Sequence, residues 1–144
     1  MTSPPRPDLA ALLAPLLRDL AAAEVPILDE HGLTMWGYSV LVALDRGPMR
    51  SQAALAESIN ADKTRIIPTL DELQAQGYIE RHPDPADRRV RLLALTDSGR
   101  RVKDSAQSAI QRGEERWLSR LPAGDRAAFL RALRRLAEDG EQNT

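Results

Sequence analysis

The 144-residue chain carries a formal net charge of −1 and contains no cysteine. Its 42% hydrophobic and 28% charged residues are typical of one folded domain, and the missing cysteine excludes disulfides, thiolate catalysis and cysteine-based metal sites. No apolar run is long enough to cross a membrane and no signal-peptide core is visible, so we expect a cytoplasmic protein.

A leucine stripe marks the first predicted helix, at about residues 8–31. Six leucines recur at helical spacing: Leu9, Leu12, Leu13, Leu16, Leu17 and Leu20. Asp8 is the predicted N-cap, and Pro15 and Pro26 are predicted to kink or restart the helix. We expect this stripe to pack against a partner subunit.

Two short helices follow. Thr34 is predicted to cap the first, with Leu33 and Tyr38 as a hydrophobic staple, and Gly47-Pro48 to end it. Ser51 is predicted to cap the second. Three of its residues are expected to face the core, namely Ala54, Leu55 and Ile59. The turn at Asn60-Ala61 then leads into the next helix, which makes the pair a helix-turn-helix.

The helix at about residues 62–76 has one apolar and one polar face. Its apolar residues, expected in the core, are Ile66, Ile67, Leu70 and Leu73. Asp62 is the predicted N-cap and Gly77 the predicted C-terminal stop. The opposite face offers cationic and hydroxyl groups, which suit phosphate oxygens and base edges: Lys63, Thr64, Arg65 and Thr69.

A β-hairpin is predicted next. Short apolar runs at residues 78–82 and 90–95 flank the turn sequence PDPADRR, which ends in Arg88 and Arg89. Such a helix can enter a DNA major groove while the hairpin arginines reach the neighbouring minor groove. The residues alone leave an alternative open, in which both elements carry ordinary solvated charges.

Thr96 is predicted to cap a long helix that has Gly99 in its first turn. Leu121-Pro122 separates it from a last helix ending by Gly140, whose apolar residues are Phe129, Leu130, Leu133 and Leu136. The predicted fold is therefore mainly α with a small β-hairpin wing. Within a single domain, a winged helix-turn-helix (about residues 34–96) lies between terminal helices (about 8–31 and 97–138) that are expected to form a two-fold dimer.

Four segments in this order resemble the MarR (multiple-antibiotic-resistance regulator) family of bacterial transcription factors: LAESI, DKTRIIPTLDELQAQGYIER, DPADRR and LTDSGR. The resemblance implies a homodimer whose two winged helices bind double-stranded DNA at a pseudo-palindromic operator. It also implies a repressor released by a small molecule, because many members have a ligand pocket between their dimerisation and DNA-binding parts.

The resemblance also implies roles for individual residues. In the helix-turn-helix, the implied DNA contacts are Ser51, Gln52, Lys63, Thr64, Arg65, Pro68 and Thr69. In the wing, Asp87 would orient an arginine, Arg89 would enter the minor groove, and Arg88 would serve a phosphate or a structural ion pair. Pro68 departs from the simplest family pattern and is expected to bend the recognition helix.

Four residues surround the start of the second helix, where the family's ligand pocket forms: His31, Met35, Trp36 and Tyr38. They would suit a small aromatic or phenolic anion. The alternative is that Trp36 and Tyr38 are packing residues.

Two other classes of function fit the sequence less well. An enzyme is not expected, because the two histidines, His31 and His82, belong to no metal motif and no Gly-rich phosphate loop is present. Asp84 and Asp87 are better explained as turn and salt-bridge residues. No cofactor, metal or membrane partner is expected. The remaining alternative is a winged helix that mediates protein contacts without specific DNA binding.

Overall fold

The computed structural model describes residues 4–142, and within them it contains six α-helices and one two-stranded antiparallel sheet. In chain order these are α1 (Leu9–Glu30), α2 (Met35–Asp45), α3 (Gln52–Ser58), α4 (Lys63–Ala75), β1 (Ile79–Pro83), β2 (Arg91–Leu95), α5 (Asp97–Leu118) and α6 (Ala123–Gln142). The predicted fold class is confirmed. The chain divides into two compact units between Ala109 and Ile110, within α5. Across residues 4–142, no helix is long and apolar enough to span a membrane.

Helix α1 runs without interruption through Pro15 and Pro26, so neither proline restarts the helix, and the kink that was predicted as the other outcome stays a prediction. Each proline removes one backbone hydrogen bond, but the turns on either side hold the helix together. Asp8 occupies the N-cap position, although its side chain accepts no capping hydrogen bond from any described residue. Much of the leucine stripe is exposed on the single chain, at Leu9, Leu12, Leu13 and Leu17.

The core of the first unit is built by α2, α3, α4 and the hairpin. Its fully buried large side chains include Val40, Leu41, Leu55, Ile66, Leu70 and Ile79. The predicted caps hold these helices in place: Thr34 Oγ1 accepts from Gly37 N at 3.0 Å, and Ser51 Oγ accepts from Ala54 N at 3.0 Å. Asn60 takes φ +54° in the turn between α3 and α4.

Two residues that were predicted to face the core are exposed. Ala54 is exposed, and Ala56 is buried beside Leu55 in its place. Ile67 is also exposed, because it lies about 100° around the helix from the buried Ile66.

The hairpin is attached to the helix-turn-helix at its base. Strand register pairs Ile79 with Leu95 and Arg81 with Leu93. Leu93 also exchanges two backbone hydrogen bonds with Met49, at 2.9 and 2.8 Å, in the segment just before α3. A two-stranded hairpin is marginal by itself, so this third backbone partner supports it.

Close packing joins the hairpin to the start of α5. Thr96 Oγ1 donates to Gly77 O at 2.7 Å and accepts from Gly99 N at 3.0 Å, which confirms Thr96 as a cap. A Cβ added at Gly99 would lie 2.0 Å from the backbone oxygen of Tyr78. Only glycine fits at this contact.

A cluster of charged side chains connects α2 to α5. The buried Lys103 ammonium lies 2.7 Å from Asp45 and 2.6 Å from Asp104, and Arg100 lies 3.2 Å from Asp45. Hydrogen bonds from Lys103 and Arg100 lower the pKa of Asp45 from its ordinary 3.8. Burial opposes the charged form of Lys103, but its hydrogen bonds to Asp104 and Asp45 outweigh that effect and raise its pKa above 10.5.

In the second unit, the end of α5 contacts α6. The Trp117 and Phe129 ring centroids lie 6.0 Å apart at an interplanar angle of 53°, and Arg126 pairs with Glu115. Helix α6 continues past Gly140, beyond its predicted end, and leaves Leu133 and Leu136 exposed.

Candidate nucleic-acid interface

The start of α4 is fixed by its capping carboxylate. Asp62 Oδ1 accepts from Thr64 N at 2.9 Å and from Thr64 Oγ1 at 2.8 Å. The backbone hydrogen bond and then the side-chain hydrogen bond lower the pKa of Asp62. The cap therefore stays ionised at neutral pH and orients the first turn of the helix.

The outward face of α4 carries most of the side chains implied in major-groove contact. At about 100° per residue, Thr64 and Pro68 lie opposite the buried line of Ile66 and Leu70. Lys63, Thr64, Arg65 and Pro68 are all exposed, whereas Thr69 is half-buried. Thr69 lines a small crevice against the start of α2, together with Thr34 and Gly37 among others. The helix is continuous through Pro68.

The start of α3 offers two more residues that the resemblance implies in DNA contact, the N-cap Ser51 and the first helical residue Gln52. Ser51 is exposed but uses its hydroxyl as the N-cap of α3, and Gln52 is half-buried. Only part of each side chain is therefore open to a second contact.

The wing loop holds one arginine with a carboxylate. Asp87 Oδ1 accepts from Arg89 Nε at 3.2 Å and from Arg89 N at 3.1 Å, while Oδ2 accepts from Arg89 Nη2 at 3.4 Å. These bonds lower the pKa of Asp87. The Arg89 side chain is nonetheless 92% exposed, and Arg88 beside it is also exposed. The ion pair restricts Arg89 while leaving its guanidinium open to solvent.

Two exposed residues were missed by reasoning from sequence. Ile67 adds an exposed apolar side chain to α4 on the same side of the helix as Lys63, and its angular position would have indicated its exposure. Arg50 lies between the hairpin-bonded Met49 and the cap Ser51, and its guanidinium lies 3.4 Å from Asp84. No local signal in the sequence indicates that pair.

The four residues proposed for a ligand differ in their surroundings. His31 uses both ring nitrogens, with Nδ1 2.8 Å from Ile27 O and Nε2 3.0 Å from Ser105 Oγ. Met35 and Trp36 are exposed on the first turn of α2. Tyr38 lines a different cleft, of about 280 Å³, with Val42, Arg46, Met49 and Ile59 among its other residues.

A capped recognition helix with an exposed cationic face, followed by an arginine-bearing hairpin, defines a winged-helix DNA-binding protein. A sequence model of the MarR family matches residues 31–90. The HTH-type transcriptional repressor NicR of Pseudomonas putida is 34% identical over 139 residues, which cover 93% of this chain and 87% of NicR. The chain belongs to the MarR family.

Other known proteins agree with this assignment. A putative transcriptional regulatory protein for the hcr operon of Thauera aromatica is 29% identical over 110 residues, which cover 76% of this chain and 66% of that protein. CouR of Rhodococcus jostii RHA1 is 29% identical with a TM-score of 0.74, over 90% of this chain and 92% of CouR. Structures of CouR contain p-coumaroyl-CoA or a 23-mer DNA duplex. The protein is a DNA-binding transcriptional regulator and not an enzyme.

Proposed function

We propose that the protein is a homodimeric repressor that binds an inverted-repeat operator and is released from it by a small aromatic or phenolic ligand. The observation that carries the dimer is the exposed leucine face of α1. Leu9, Leu12, Leu13 and Leu17 are 62%, 51%, 47% and 67% exposed on the single chain. Contiguous apolar surface of this kind marks an interaction site in a folded protein.

Helix α6 supports the same proposal, since Leu133 and Leu136 are also exposed, and they stand among the charged residues Arg131, Arg134 and Arg135. Apolar faces on two long helices would together bury an obligate interface, expected to exceed ~2,000 Å² in total. A two-fold axis then relates two recognition helices, and the DNA site acquires matching two-fold symmetry.

On DNA, Lys63, Thr64, Arg65 and Pro68 would face the major groove, with Thr69 at its margin. Ser51 and Gln52 would approach the backbone from the start of α3. Arg89, oriented by Asp87, would enter the minor groove, and Arg88 would meet a phosphate. The exposure of the α4 cations and of Arg89 supports this division between the grooves.

Release by a ligand is supported by two relatives, since NicR is a transcriptional repressor and the repressor CouR binds p-coumaroyl-CoA in its crystal structure. Two places on the first unit suit an aromatic ring. One is the exposed Met35 and Trp36 beside His31, and the other is the cleft lined by Tyr38. Arg46 in that cleft would complement an anion.

Mobility-shift titration of fragmented genomic DNA at two salt concentrations tests this function. We expect a small set of fragments to stay bound at the higher salt, and phenolic and cinnamic acids, free or as coenzyme A thioesters, to release them. Arg65→Ala, titrated in parallel, should release the selected fragments at a lower salt concentration than the unsubstituted protein does. Binding of all fragments alike, with equal salt sensitivity, would contradict sequence-specific repression.

A further inference from the structure

Asp84 organises the loop at the tip of the wing. Its backbone N–H donates to Val90 O at 2.9 Å, and its carbonyl accepts from Asp87 N at 3.2 Å. Its side-chain Oδ1 accepts from Ala86 N at 2.9 Å. The Asp84 side chain is only 13% exposed, in contrast to the open arginines of the same loop. It is placed to hold the loop and not to meet DNA.

The second carboxylate oxygen reaches outside the hairpin. Asp84 Oδ2 lies 3.4 Å from Arg50 Nη2. Arg50 follows Met49, which is hydrogen-bonded to the hairpin, and precedes Ser51, which caps α3. The Asp84 carboxylate therefore connects the wing loop to the segment that leads into α3, the first helix of the helix-turn-helix.

We propose that Asp84 and Arg50 form a positioning pair that sets the angle of the wing and so places Arg88 and Arg89 for the minor groove. The proposal rests on the proposed DNA-binding role of the wing. Five-residue strands hold a hairpin weakly, and a small error in wing angle is enough to misplace its tip. A side-chain link between loop and helix-turn-helix removes that freedom before DNA binds.

Because Asp84 is negatively charged, losing its charge and losing its positioning role should change the affinity for DNA in opposite directions. Removing a carboxylate near DNA phosphates should strengthen sequence-independent binding. Asp84→Asn removes that charge and the ion pair, yet its amide oxygen can still accept from Ala86 N. Weaker operator binding by this variant then has to come from lost positioning, because the electrostatic change acts in the opposite direction.

Glu80→Gln is the matched control. Glu80 is exposed on β1 of the same hairpin, opposite Ala94, and its substitution makes the same change in charge away from the loop. Operator duplexes recovered from genomic fragments would be titrated with and without their A·T-rich flanks. The ratio of the two affinities is measured within each protein, so a reduced folded fraction cancels from it.

We expect Asp84→Asn to bind the flanked operator about tenfold more weakly than Glu80→Gln, with the contribution of the flanks lost. Arg50→Gln should lose the same contribution, and the double variant should lose no more than either single one. An Asp84→Asn variant that retains the flank contribution while Arg89→Ala loses it would overturn the positioning pair. If Arg89→Ala itself retains that contribution, the proposed role of the wing fails, and the pair fails with it.

Discussion

Arg65 and Arg89 are expected to contribute to DNA binding in different ways, because they would lie in different grooves. Arg65→Ala should cost about 1–3 kcal/mol and relax base preference at about one or two positions. Arg89→Ala should cost a similar amount, lower the salt slope by about one and alter preference only at A·T-rich flanks. Operator titration at several salt concentrations measures both. An unchanged affinity and salt slope for Arg89→Ala would show that the wing does not enter the minor groove.

Neither substitution should change the melting temperature, since exposed arginines contribute little to folding. An early-melting Arg89→Ala would mean that the Asp87–Arg89 pair stabilises the fold.

Lys103 and Asp45 should contribute to stability across a wide pH range. The lowered pKa of Asp45 gives stability that is present above pH 3.8 and is lost as the pH falls through its folded pKa. The raised pKa of Lys103 gives stability that is present below pH 10.5 and is lost as the pH rises through its folded pKa. Between these limits the contribution of the pair should be constant.

Lys103→Met should therefore lower the free energy of unfolding by about 1–2 kcal/mol near pH 7, less than for a fully buried pair because Asp45 is partly exposed. Urea unfolding at pH 7 and pH 3 measures this difference, which should shrink at pH 3. Arg101→Met, an exposed neighbour on the same helix, should change stability by less than about 0.5 kcal/mol. A Lys103→Met difference that is as large at pH 3 would mean that lost packing, not charge, is responsible.

At the junction of the hairpin and α5, position 99 has no room for a side chain larger than that of glycine. Gly99→Ala would place a Cβ against the Tyr78 carbonyl, so the helix start or the strand has to move. We expect a loss of more than about 2 kcal/mol. Gly124→Ala, in a helical turn with open space around it, should stabilise by up to about 1 kcal/mol. Thermal melting at equal protein concentration compares the two, and equal melting temperatures would contradict the contact.

The elements set by local chemistry could be predicted from sequence. Caps at Thr34, Ser51, Asp62 and Thr96 each need only a hydroxyl or carboxylate within three residues of a free N–H, and all four form. The continuity of α1 through Pro15 was missed because proline rules are local, whereas the rest of a long helix holds the turn in place.

In the candidate interface, too, contacts between near neighbours in sequence could be predicted, whereas contacts that depend on tertiary packing could not. The Asp87–Arg89 pair spans two positions and was anticipated by the resemblance, and the side chains of Lys63 and Arg65 are exposed as expected. Arg50 and Asp84 lie 34 positions apart and meet where tertiary packing pairs the adjacent Met49 with Leu93. The partial burial of Thr69 against α2 and the engagement of His31 with Ser105 likewise depend on tertiary packing.

Across the whole molecule, the proposed dimer predicts that α1 is required for a soluble fold. Deleting residues 1–24 removes the whole leucine face and should leave its apolar partners uncovered, giving aggregated or unfolded protein. Size-exclusion chromatography with light scattering and circular dichroism measures the outcome. A well-folded, soluble monomer from this deletion would count strongly against α1 as a dimer helix.

The most direct test of the account is a hydroxyl-radical footprint of the full-length protein on a selected operator, with the number of bound chains measured in parallel. Two chains should protect two symmetric half-sites with centres about one helical turn, ~10–10.5 bp, or a multiple of it apart. Protection should extend into the minor groove at both flanks, where the wings would lie. One asymmetric half-site protected by a single chain would contradict the dimeric, two-winged recognition proposed for this protein.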